Sequence, residues 1–224
     1  MRAAGRGPLK RMMGRGEPVL WAMIVGGVLW MVHGYYRNLT PHGPDVQWEE
    51  DLGFSPVLSA ELFLLYNVPG VLALLLTAWA ALSFVGFLSG PRGRLKQAAL
   101  VFAALGLVLG AIAAAGQVIL FDPLTVGGLS FGVPALGLAL FLAGLALARD
   151  GRRGGEYPGV LGPGLMLMGA AGMFVLPLRP LMYALEVLPL AFGAGVFAVF
   201  GAGWVALGVI LRNVPEPKAG SAYA

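Results

Sequence analysis

Six long runs of apolar residues, separated by short polar segments, set the pattern of this chain. The runs predict helices at about 18–36, 62–90, 97–121, 123–148, 157–178 and 183–211. A helix that crosses a bilayer needs roughly 20 mostly apolar residues, and these runs meet that requirement. Barrel strands are only about 9–11 residues long and alternate in polarity, which these runs do not. We therefore predict an all-α, polytopic transmembrane bundle of six helices.

The segments between the runs are too short to form a second domain. We predict one integral membrane domain over residues 1–224, with a basic tail at 1–17, an extracytoplasmic loop at 37–57 and a flexible tail at 212–224. Within the loop, Asp45 follows Pro44 and is expected to cap a short helix. Such a helix would place Trp48 near the lipid headgroups, where indole rings concentrate.

The basic residues give the orientation of the bundle. With the N-terminus on the cytoplasmic side, thirteen of the fifteen Lys and Arg residues fall in cytoplasmic segments, and only Arg37 and Arg179 fall outside. Short cytoplasmic loops of membrane proteins carry such an excess of positive charge. We therefore predict that both termini are cytoplasmic. The Ala- and Gly-rich composition is typical of bacteria, so the predicted location is the bacterial cytoplasmic (inner) membrane.

Composition narrows the possible chemistry. Hydrophobic residues make up 58% of the chain and charged residues 12%, far from the quarter or so charged residues of soluble domains. The absence of cysteine excludes disulfides, thiolate zinc sites and cysteine catalysis. The sequence contains no HExxH, GxSxG or phosphate-binding GxxxxGK[ST] motif. We therefore expect no enzyme activity, no cofactor and no bound metal. The basic N-terminus indicates contact with anionic lipid rather than nucleic acid.

Polar side chains inside the spans gather at the outer ends of the helices, and they define two competing interpretations. One is a polar pocket that opens outward between helices 1, 2, 3 and 6, and the other is an interfacial belt of aromatic and snorkelling side chains. In the pocket interpretation Glu186 is the main functional group and Tyr183 its local partner. The candidate residues are His33, Glu61, Tyr66, Asn67, Gln117, Arg179, Tyr183 and Glu186.

Proline and glycine add a second pattern. Pro69, Pro134 and Pro189 each lie past the first turn of a helix that runs inward, where a proline frees the carbonyl four residues earlier. Such kinks can expose backbone to a substrate, although neighbouring helices can also satisfy the freed carbonyls. Three small-residue motifs indicate close helix packing: Gly86-x-x-x-Gly90, Gly106-x-x-x-Gly110 and Gly128-x-x-x-Gly132.

Three segments carry a resemblance to a known group of proteins. They are Trp21-Ala22-Met23-Ile24-Val25-Gly26-Gly27-Val28-Leu29-Trp30, Arg92-Gly93-Arg94-Leu95-Lys96 and Gly203-Trp204-Val205-Ala206-Leu207-Gly208. In these segments and in its layout the chain resembles small, uncharacterised bacterial multi-pass membrane proteins. The resemblance implies a six-helix bundle in a bacterial inner membrane, and it implies no particular activity.

Three classes of function are compatible with these features. The sparse polar content favours a non-catalytic membrane subunit or scaffold, whose partners are the lipid bilayer and another membrane protein. The outer polar residues and the kinked helices would instead suit a small transporter or an outward-facing sensor of an unknown ion or small molecule. A membrane-embedded enzyme is the least favoured class, because acid–base and metal-binding motifs are missing.

Overall fold

A computed structural model describes residues 17–39, 43–88, 93–151, 159–185 and 190–212. Side chains are described over the same ranges except 150–151 and 175–191. Six helices account for most of these residues: α1 Glu17–Leu39, α2 Ala60–Phe87, α3 Arg94–Val118, α4 Asp122–Gly151, α5 Leu161–Leu185 and α6 Leu190–Arg212. Across the described ranges there are no strands, so the predicted all-α class with six helices is confirmed.

The length and composition of these helices are those of membrane spans. Five of them, α1 to α4 and α6, contain windows long and apolar enough to cross a membrane. The described part of α5, Leu161–Phe174, is apolar but shorter. By their length and apolar composition, these helices indicate a membrane protein.

Helix α5 departs from the predicted boundaries. The sequence predicts an end at residue 178 and a new helix from 183, whereas the backbone of α5 continues through Pro177 and Pro180 to Leu185. Proline is a weak stop signal in a membrane span, because neighbouring groups can satisfy the carbonyls that it frees. The sixth helix accordingly begins later, at Leu190.

The helices pack in chain order around the bundle, and the first helix contacts the last. Helix α1 packs on α2 and α6, α2 packs on α3, and α4 packs on both α3 and α5. The largest fully buried side chains are aromatic and lie on α1, α2 and α6: Trp30, Trp204, Phe63, Phe84 and Phe200. This aromatic core fills the space between α1 and its two neighbours.

Small residues allow the tightest approaches between helices. The inward face of α3 is built from small residues three or four apart: Ala99, Ala103, Gly106, Gly110, Ala113 and Gly116. Its opposite face exposes Val101, Leu105, Val108 and Ile112, as a surface that faces lipid tails would. Of the glycines in the three predicted packing motifs, Gly128 lies directly against α3, whereas a side chain at Gly86 would meet nothing within 4 Å.

The segment between α1 and α2 does not contain the predicted short helix. Residues 43–59 instead form a hairpin, with isolated antiparallel bridges between Val46 and Val57 and between Glu49 and Phe54. Asp45 does not cap a helix, because its carboxylate pairs with Arg37 and its backbone carbonyl accepts the Leu58 N–H at 2.9 Å. We call this end of the bundle the hairpin end. The opposite end, where α1 begins and α6 ends, is the tail end.

Candidate polar site at the hairpin end

His33 lies in the last third of α1 and is the most enclosed ionisable side chain among the candidates whose side chains the structure describes. It is only 4% exposed, and its Nδ1 lies 2.7 Å from the backbone carbonyl of Tyr66 on α2. A carbonyl oxygen can only accept, so Nδ1 carries the hydrogen in this bond. The Phe197 ring packs edge-on against the imidazole at 5.2 Å, and the Trp30 ring does so at 6.0 Å. His33 therefore joins α1 to α2 inside an aromatic enclosure.

A glycine makes room for this imidazole on α2. A Cβ atom at Gly70 would lie 2.7 Å from Nδ1 of His33 and 2.8 Å from its Cγ, closer than real Cβ contacts. The neighbouring Pro69 lies inside α2, as predicted, and it has no N–H to offer the Leu65 carbonyl. The carbonyl that accepts from His33 is the next one along, that of Tyr66. Proline, glycine and histidine thus form one packing unit.

Three candidates lie in the first two turns of α2, near the hairpin end, and have different environments: Glu61, Tyr66 and Asn67. Tyr66 is buried and its hydroxyl donates to the carbonyl of Gly43 at 3.4 Å, which links α2 to the hairpin. Asn67 is also buried, and its Nδ2 donates to the Phe63 carbonyl of its own helix at 2.9 Å. Glu61 is exposed in the first turn of α2. The structure therefore brings His33 and Tyr66 together and leaves Glu61 at the surface.

Gln117 belongs to a different part of this end, the turn between α3 and α4. Its side chain is buried, yet Nε2 has no hydrogen-bond partner within the described ranges. The preceding residue, Gly116, packs directly against Thr125 of α4. Thr125 is fully buried, and its hydroxyl lies 3.4 Å from the Ala113 carbonyl of α3. This corner joins two helices and contains one amide hydrogen-bond donor that is not used.

The hairpin is fastened to the bundle by contacts that sequence reasoning missed. Arg37 at the end of α1 donates to Asp45 at 2.7 Å, and both side chains are largely shielded from solvent. Phe54 near the tip packs on Phe121, at the α3–α4 turn, with ring centroids 5.4 Å apart. The opposite charges of Arg37 and Asp45, eight residues apart, were the available signal for this ion pair. Asp45 was instead predicted to cap a helix.

A second polar contact lies deeper between α1 and α2 and was also missed. Trp30 is fully buried, and its Nε1 donates to the Thr77 hydroxyl at 3.3 Å. That hydroxyl in turn donates to the Ala73 carbonyl at 2.6 Å. Trp204 of α6 is equally buried, but its Nε1 has no hydrogen-bond partner in the part of the chain that the structure describes. No pattern in the sequence distinguishes these two tryptophans.

Four predicted residues have side chains that fall outside what the structure describes. The backbone of Arg179 and Tyr183 belongs to α5, while their side chains lie outside the described residues. Glu186 and Pro189 lie outside the described residues altogether. Of the other two predicted kink positions, Pro69 and Pro134 are inside helices α2 and α4. A pocket that includes the side chains of residues 179–189 therefore stays a prediction.

The fold and this site define a class rather than a family: an all-α bundle of six described helices, five of them long and apolar enough to span a membrane, with a sparsely polar interior. No protein-family model, no curated protein and no solved structure matches the chain.

Proposed function

We propose that the protein is a non-catalytic subunit or scaffold in a bacterial inner membrane, with six spans and both termini in the cytoplasm. Its apolar helices support membrane insertion. The cytoplasmic placement of the termini is supported by the distribution of Lys and Arg, because thirteen of the fifteen lie in segments that this topology puts inside. Membrane subunits of this kind act by contact with lipid and with another membrane protein.

The observation that carries the non-catalytic role is the environment of His33. A transport path or catalytic site needs a polar group that water or substrate can reach. His33 is instead enclosed by Trp30, Phe197 and Gly70, and its Nδ1–H is used in holding α1 against α2. Thr77 and Trp30 are used in the same way. Polar residues that join helices are a common packing device in membranes.

Access of water to position 33 tests this role, and the chain has no natural cysteine to interfere. We would introduce His33→Cys and treat membranes with a small water-soluble maleimide. A scaffold with a packed interior predicts no labelling from either side of the membrane. The matched controls are Gln47→Cys, exposed in the hairpin, and Thr77→Cys, buried in the same interface. Labelling of position 33 at the rate of position 47 would contradict the proposal.

Partner contact is tested by purification of the full-length protein in a mild detergent. A subunit should migrate as a complex that contains another membrane protein in fixed stoichiometry. A chain that purifies alone, with its thermal stability unchanged after removal from the membrane, would count against the subunit role.

The second candidate function is a small transporter or outward-facing sensor. It is supported by the buried Nε2 of Gln117, which has no hydrogen-bond partner and could donate to a ligand. The main residue of this alternative is Glu186, and Glu186→Gln is its test. The change preserves size and hydrogen bonding, so a loss of proton- or cation-linked flux with unchanged protein levels would favour transport.

Topology has a separate test. Cysteines at Ser55 and Ser221 would be exposed on opposite sides of the membrane under the proposed orientation. An impermeant thiol reagent added to intact cells should label position 55 and not position 221. The reverse result would show that the orientation is opposite to the proposed one.

A further inference from the structure

A small pocket at the tail end lies between the start of α1 and the end of α6. Its volume is about 170 Å³, and it is lined by Glu17, Leu20, Trp21, Ile24 and Arg212. The two helices meet here because α1 and α6 pack along each other and run in opposite directions. None of the predicted site residues belongs to this pocket.

The two charged groups of the pocket have opposite signs and are both exposed. Arg212 is positioned by Trp21, because its Cζ lies 5.1 Å from the centroid of the indole ring. Within the part of the chain that the structure describes, neither Glu17 nor Arg212 forms a hydrogen bond or an ion pair. A cation and an anion thus line one pocket without neutralising each other.

The lining residues follow the order of the parts of a phospholipid, with charged groups at the headgroup and apolar side chains towards the acyl chains. Leu20 and Ile24 lie three and seven residues beyond Glu17, so they continue the same helix face towards the membrane interior. Trp21 is 47% exposed, and indole rings favour the headgroup level. Arginine binds phosphate oxygens through its planar set of N–H donors, and a carboxylate binds a primary ammonium through charge-assisted hydrogen bonds.

We propose that this pocket binds the headgroup of an amine-bearing glycerophospholipid, of the phosphatidylethanolamine class. Arg212 binds the phosphate, Glu17 binds the ammonium group, and Leu20 and Ile24 contact the first carbons of an acyl chain. An anionic lipid without an amine would place no cation opposite Glu17. A choline headgroup has a cation but no N–H to donate. The proposal rests on the proposed membrane embedding of the chain.

Lipid retention tests the site directly. The protein would be reconstituted in nanodiscs that contain equal amounts of phosphatidylethanolamine, phosphatidylglycerol and phosphatidylcholine. It would then be exchanged into detergent, and the retained lipids would be counted by mass spectrometry. The wild type should retain phosphatidylethanolamine several-fold over the other two. Glu17→Gln should abolish that preference while retaining lipid, and Arg212→Gln should lower retention of all three. Arg94→Gln, an exposed arginine at the same end, is the matched control and should change nothing.

The outcomes separate the lipid site from the membrane proposal. A chain that is recovered from the soluble fraction would overturn the proposed function itself. A chain that enters nanodiscs but retains the three lipids equally, or whose preference survives Glu17→Gln, would overturn only the lipid site. Soluble phosphoethanolamine that binds as tightly as the lipid would also overturn it, because that molecule lacks the acyl chains that Leu20 and Ile24 are proposed to contact.

Discussion

Replacing Gly70 with alanine tests whether His33 is a packing residue. The added methyl group would lie 2.7 Å from Nδ1 of His33, in a position that no real Cβ contact adopts. The imidazole cannot retreat without moving Phe197 or Trp30, whose rings pack against it. We therefore expect the substitution to displace His33 and to break its hydrogen bond with the Tyr66 carbonyl.

Three terms set the size of the effect. Overpacking of an interior costs about 1–3 kcal/mol, and the loss of one buried hydrogen bond costs about 1 kcal/mol. Alanine recovers about 0.5–1 kcal/mol, because glycine is unfavourable inside a helix. The balance is a loss of about 1–3.5 kcal/mol in the free energy of unfolding.

The assay is unfolding of the purified protein in mixed micelles, followed by far-UV circular dichroism. Gly86→Ala is the control, because it changes the same helix at a position with nothing within 4 Å of the new methyl group. It should leave stability unchanged or raise it slightly. A His33→Ala change in the Gly70→Ala background should restore part of the loss by removing the clash. Equal stability of the Gly70→Ala and Gly86→Ala proteins would refute the packing role of His33.

Three further substitutions test other contacts of the described chain. Thr77→Val removes the acceptor of the Trp30 indole and should lower the free energy of unfolding by about 1–3 kcal/mol, whereas Thr77→Ser should not; equal values would contradict the contact. Gly27→Ala would bring its methyl group 2.5 Å from the Gly201 carbonyl and should separate α1 from α6 and lower the melting temperature, while Gly195→Ala, in open space, should not. Asp45→Asn should free the hairpin and speed maleimide labelling of a cysteine at position 55 several-fold over Asp51→Asn, an exposed control; matching rates would show that the ion pair does not hold the hairpin.

The helices could be predicted from the sequence because their signal is repeated over many residues. Each span needs an apolar run of fixed length, and a bilayer has one thickness. No single residue decides such a run, so the existence of six helices survives errors at the ends. The ends depend on single residues, and there the prediction differed, as at Pro180, where α5 continues.

Residue types predicted that His33 and Tyr66 lie at the same end of the bundle, but they did not predict the contact between them. His33 and Tyr66 were placed at the same end from their depth in two helices, and the structure brings them together. The roles could not be predicted, because the partner of His33 is a backbone carbonyl, which every residue has. The ion pair between Arg37 and Asp45 was missed for a related reason, since it depends on how the chain turns after α1.

Two buried tryptophans of this interior differ in whether their indole N–H is hydrogen-bonded. Trp30 and Trp204 are both fully buried and both take part in the aromatic contacts with Phe200. Trp30 has Thr77 as acceptor, while the N–H of Trp204 has no partner among the described residues. An unused donor in an apolar interior costs free energy, so close packing around Trp204 must offset that cost. Close packing therefore fills most of this interior, and the hydrogen bonds of Trp30 and His33 lie where α1 contacts α2.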